Sequence, residues 1–88
     1  MKQYTAIARE LLAECSAKVR KRENLTQDKM AEKLRITSRA YGDLERGKFC
    51  FSAVALLFLL LMLSDEEIKK VLEEFQKRVA DSEPKGVA

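Results

Sequence analysis

Residues 25–48, LTQDKMAEKLRITSRAYGDLERGK, decide the fold. The stretch reads as two short helices joined by a tight turn, the second stopping at Gly47. Thr26 is placed to cap the first helix, with Leu25 before it and Met30 four positions inside. Thr37 is placed to cap the second, flanked in the same way by Ile36 and Tyr41. A capping hydroxyl satisfies an orphan backbone N–H, and the apolar pair around it fixes the angle of entry. Two helices capped eleven residues apart form a helix-turn-helix.

Working outward, three further helices complete an all-α fold. The first spans about residues 3–22, with Tyr4, Ile7, Leu11, Leu12, Cys15 and Val19 forming one apolar stripe. Glu23 and Asn24 close it, since asparagine tolerates the left-handed conformation that ends helices. Ser52 is placed to cap a fourth helix ending near Leu63. The run Ser64-Asp65-Glu66-Glu67 is a capping box for a fifth, whose stripe is Ile68, Val71, Leu72, Phe75 and Val79. Residues 1–80 form a single domain with its motif at about 26–47, and residues 81–88 have the polar, Pro/Gly character of a flexible tail.

Net charge is only +3, but it is unevenly distributed. Residues 17–48 carry ten Lys/Arg against five Asp/Glu, while residues 64–88 carry five against seven. The basic excess therefore lies on the two-helix motif, where a phosphate-facing surface needs it. The chain has no histidine, the commonest general base and metal ligand. No Ser or Cys stands beside a plausible base, so the expected class is non-catalytic, with no cofactor and no metal. Cys15 and Cys50 lack ligand spacing and read as reduced packing thiols of a cytoplasmic protein, with a disulfide between them as the alternative. The apolar run at residues 49–63 is fifteen residues long, short of the roughly twenty that span a bilayer, so a core helix is expected there rather than a membrane segment.

Residues 16–68 resemble the Xre/Cro/CI-type helix-turn-helix family. The matching motifs are Val19-Arg20, Leu25-Thr26-Gln27, Met30-Ala31 with Leu34, Ile36-Thr37 and Leu44-Glu45-Arg46-Gly47-Lys48. The resemblance implies a compact five-helix, lambda-repressor-like DNA-binding domain, here with extended first and C-terminal helices. It also implies a homodimer on a near-palindromic operator, with double-stranded DNA as partner and no small-molecule ligand evident. By the family pattern, Arg20 and Glu45 form a structural salt bridge, and Ala31 is the small residue where the motif helices cross. Ser38, Arg39 and Asp43 match base-facing positions of a recognition helix at about residues 38–46. Gln27, Arg46 and Lys48 match phosphate-contacting ones. Arg39 is the leading reader, because a guanidinium can bond guanine O6 and N7 together. Each of these has a plainer alternative as a solvated surface side chain. For Tyr41, packing against Ile36 is favoured over base stacking.

Four features depart from the family pattern. Arg35 stands in the turn where glycine is usual, and positive φ there costs a non-glycine residue about 1 kcal/mol. Gly42 lies inside the recognition helix and weakens it by about 1 kcal/mol relative to alanine. Asp43 places a carboxylate in the groove, where it would accept from cytosine N4 or repel phosphate. The fourth helix is apolar all round and must be covered on every side. The motif is expected to cover Leu56, Leu57 and Leu60. Val54, Phe58 and Leu61 call for the first and fifth helices or a second subunit. The expected function is a sequence-specific, double-stranded DNA-binding transcriptional regulator acting as a homodimer around the fourth and fifth helices. The alternative is a helix-turn-helix scaffold used as a protein-interaction or antitoxin-like module.

Overall fold

The computed structural model describes residues 2–84, which form α1 (Lys2–Arg22), α2 (Gln27–Leu34), α3 (Ser38–Glu45), α4 (Ala53–Leu61) and α5 (Asp65–Ser82). Four of these helices begin on a hydroxyl. Thr26, Thr37 and Ser52 each accept from the backbone N–H three residues on at 3.1 Å. Ser64 does the same at 3.2 Å, and Glu67 returns the bond to the Ser64 N–H at 2.9 Å, completing the capping box.

The first three helices also share one way of stopping. Asn24, Arg35 and Gly47 take φ of 57°, 59° and 74°. At each, the following N–H reaches back five residues: Leu25 to Arg20 O at 2.9 Å, Ile36 to Ala31 O at 3.0 Å, and Lys48 to Asp43 O at 2.9 Å. These are Schellman closures, which satisfy carbonyls the helix leaves orphaned. The turn after α2 is therefore not recast around the missing glycine. Arg35 adopts the left-handed conformation itself, and its guanidinium lies 4.2 Å from the centre of the Phe58 ring. That stacking offsets part of the backbone strain.

Val19, Met30, Ala31, Leu34, Tyr41, Leu44, Phe51, Ala55 and Leu59 make one buried cluster, to which α1, α2, α3 and α4 all contribute. Tyr41 is fully buried, so its ring packs in the core and is not presented for base stacking. Outside this cluster, α1 and α5 run antiparallel. Tyr4 Oη donates to Glu83 Oε2 at 2.6 Å, Arg78 Nη2 to Glu14 Oε1 at 3.0 Å, and Arg22 pairs with Glu67. This pairing draws the molecule out to 47 Å against 26 and 20 Å.

Two helix ends differ from expectation. The fourth helix stops at Leu61 rather than near Leu63, because Met62 and Leu63 turn tightly, bonding three residues back, before Ser64 caps α5. The fifth helix runs on to Ser82, past the expected boundary at residue 80. Of the tail expected at residues 81–88, residues 85–88 lie outside the described residues. The α4 packing face is also rotated from the expected one. Ala55 and Leu59 are its buried residues, Leu56 and Leu60 are half-buried, and Leu57 is exposed. The α2 helix packs against the Ala55/Leu59 side, leaving Leu57 on the far side.

Candidate nucleic-acid interface

A four-residue polar cluster positions α3. Arg20 Nε donates to Glu45 Oε2 at 2.8 Å, and Nη2 donates to Oε1 at 2.9 Å, a two-pronged pair joining α1 to the end of α3. Arg20 Nη1 also donates to Leu25 O at 3.1 Å, tying in the turn before α2. Tyr41 Oη donates to Glu45 Oε2, and Gln27 Nε2 donates to Oε1 at 3.2 Å. The Arg20 bonds, reinforced by Tyr41 and Gln27, hold the Glu45 carboxyl down at about 2 against partial burial. Burial and the bond to that carboxylate push the Tyr41 phenol up to about 12. Among the described residues no buried side-chain polar atom lacks a partner.

This cluster fixes α3 with its capped leading end open to solvent. Ser38 and Arg39 are both exposed there, and Arg39 makes no ion pair with any described residue. Beside it runs a groove of about 410 Å³, lined by Arg39, Asp43, Phe49 and Cys50 among others. Lys29, Lys33, Arg35, Arg46 and Lys48 are also exposed. Lys29 pairs with Glu32 at 3.4 Å, and the Lys48 ammonium lies 5.9 Å from the centre of the Phe49 ring.

The remaining candidates occupy more constrained positions. Gln27 is exposed at the start of α2, but its amide is already engaged with Glu45. The Asp43 side chain is only 13% exposed and pairs with Arg46, whose side chain is 65% exposed. A ligand approaching α3 meets the guanidinium rather than the carboxylate. The i,i+3 spacing of Asp43 and Arg46 was visible in the sequence as a possible helical pair. The Tyr41–Glu45 bond had a similar i,i+4 signal. Stacking of Arg35 on Phe58 had none, because it joins residues distant in the chain.

The larger groove, about 870 Å³ between α1 and α5, shares no residue with α3. Among the described residues no group of His, Cys, Asp or Glu is placed to hold a metal, and no helix is long and apolar enough to cross a membrane. Cys15 is half-buried, which raises its thiol pKa, and Cys50 is exposed; both are free thiols.

A family model described as helix-turn-helix matches residues 17–60, from the last six residues of α1 through most of α4. The chain belongs to the Xre/Cro/CI-type helix-turn-helix family. It is thus a DNA-binding helix-turn-helix regulator of a non-enzymatic domain type. Searches of curated proteins and of solved structures find no match. The matched segment contains the whole Arg20–Glu45 cluster and α3, and it omits α5.

Proposed function

We propose that this helix-turn-helix protein is a sequence-specific transcriptional regulator, reading double-stranded DNA through α3 as a homodimer. The observation that carries the proposal is the exposed leading end of α3, where Ser38 and Arg39 project from a helix fixed by Arg20 and Glu45. Arg39 has the chemistry to bond guanine O6 and N7 together in the major groove, with Ser38 beside it. Arg46 and Lys48 flank α3 and are suited to fixing its register on the phosphates, and Gln27 adds the second N–H of its amide, the first being held by Glu45.

The homodimer rests on α4. Val54, Leu57 and Leu61 occupy one exposed face at i, i+3 and i+7, with Leu61 80% exposed. Burying such side chains stabilises by roughly 1.5–3 kcal/mol each. Phe58, expected on the same surface, is half-buried and partly covered by Arg35. A twofold pairing through this face would present two α3 helices to half-sites about 34 Å apart.

Selection of bound duplexes from a random pool tests both parts. An inverted repeat, with binding weakened by Arg39→Ala combined with Lys48→Ala, is the expected result. The same apolar face favours a second reading, in which the scaffold serves as a protein-interaction module. Absence of duplex binding at low salt, alongside a tight complex with a co-purified protein, would select it.

A further inference from the structure

Gly42 lies mid-helix on α3, where glycine weakens a helix, and it is buried. Its environment accounts for it. A Cβ at this position would lie 3.3 Å from Arg46 Nη1 and 3.8 Å from Gln27 Oε1. The bare Cα therefore forms a notch into which the Arg46 guanidinium folds back, alongside the Gln27 amide. From there Arg46 Nη2 donates to Asp43 Oδ1. Asp43 is mostly covered, whereas Arg46 remains largely exposed.

From this arrangement we infer that Asp43 is a positioning residue for Arg46, and that Gly42 supplies the space for it. The inference rests on DNA binding by α3. Asp43 holds one N–H of Nη2, and the four N–H groups that remain still include one fork of donors for a pair of acceptors on the nucleic acid. Those acceptors are either phosphate oxygens or guanine O6 and N7, both of which fit a planar fork of donors. A free arginine loses rotamer freedom when it binds, and a side chain already held in place loses less. On this basis the aspartate strengthens binding through Arg46, although its own charge opposes that of the phosphates. Asp43 is then not a base reader.

A double-mutant cycle on the full chain separates these effects. Asp43→Asn, Arg46→Ala and the double variant are each titrated with the duplex selected by the wild-type protein, across a range of salt concentrations. Removing the Asp43 charge alone favours binding equally in both backgrounds, so it cancels in the cycle. The expected result is a coupling of about two- to tenfold in Kd, with Asp43→Asn less favourable when Arg46 is present than when it is absent. Gly42→Ala should mimic Asp43→Asn in part, while Asp43→Asn keeps a wild-type unfolding midpoint.

The two acceptor sources are told apart within the same series. A phosphate contact lowers the salt slope by about one when Arg46 is removed, whereas a guanine contact concentrates the loss at one base pair. Zero coupling, or coupling of the opposite sign, with a wild-type protein that binds its duplex would overturn the role of Asp43 and leave DNA binding standing. A wild-type protein that binds no duplex would remove both.

Discussion

The Glu45 carboxylate receives two bonds from Arg20, one turn below the Tyr41 hydroxyl that also donates to it. This single acidic group joins α1, α3 and, through Gln27, the start of α2. The arrangement is a structural pivot, because the direction of α3 is set by a residue whose own carboxylate is largely covered.

Removing that pivot should be expensive. Glu45→Ala leaves Arg20, Tyr41 and Gln27 without their shared acceptor in a partly buried site. A loss of about 3 kcal/mol is expected, read as a lower midpoint in urea unfolding. Replacing both charges, with Arg20→Met and Glu45→Leu together, should recover the part of that loss due to the stranded Arg20 charge, while Tyr41 and Gln27 still lack their acceptor. A double variant no more stable than Glu45→Ala would show that the cluster acts through something other than mutual charge satisfaction.

The same cluster gives stability an acid and an alkaline limb. Glu45 is held at about 2, below its ordinary 4.5, so its contribution is complete above pH 4.5 and is lost as pH falls towards 2. Tyr41 is raised from 10.0 to about 12, so its contribution is complete below pH 10 and is lost as pH rises towards 12. Thermal unfolding across these two windows should show both declines. Glu45→Gln should abolish the acid one and shrink the alkaline one in part, because the carboxylate helps to raise Tyr41 while burial goes on raising it.

Gly47 offers a test of backbone strain without steric complication. Its φ is 74°, and a Cβ there would have nothing within 4 Å. Gly47→Ala is therefore expected to destabilise by about 1 kcal/mol purely through conformation. Gly47→Asn should lose less, since asparagine accepts this region more readily. Equal losses for the two would point to a contact with the side chain instead.

Leu61→Lys separates folding from association. Leu61 is exposed in the single chain, so the change should move the unfolding midpoint of a dilute monomer very little. If α4 pairs two copies, sedimentation should show the variant shifted to monomer, with Val54→Lys behaving alike. A dimer unaffected by both substitutions would place the interface elsewhere.

Much of the molecule was legible in its sequence, because local chemistry and tertiary packing agree. The hydroxyls at Thr26, Thr37, Ser52 and Ser64 start helices where their spacing from apolar residues says they should. Asn24 and Gly47 end them for equally local reasons. Arg35 showed the limit of that logic, since its left-handed backbone was foreseeable but its ring partner was not. The phase of α4 was illegible for a different reason. A helix apolar on every side has no amphipathic signature, so nothing in residues 53–61 distinguishes Leu57 from Leu59. On α3, the exposure of Ser38 and Arg39 could be read from position. The notch at Gly42 required knowing where the Arg46 side chain folds.

No residue of α5 is fully buried. The helix is fastened to α1 by half-covered apolar side chains and by polar rungs at Tyr4, Glu14 and Arg22. Such an element can detach while the α1–α4 cluster stays shut, so its backbone amides should exchange with deuterium well before those of Met30 or Leu44. The C-terminal helix would then behave as a separately melting foldon strapped to an intact globule.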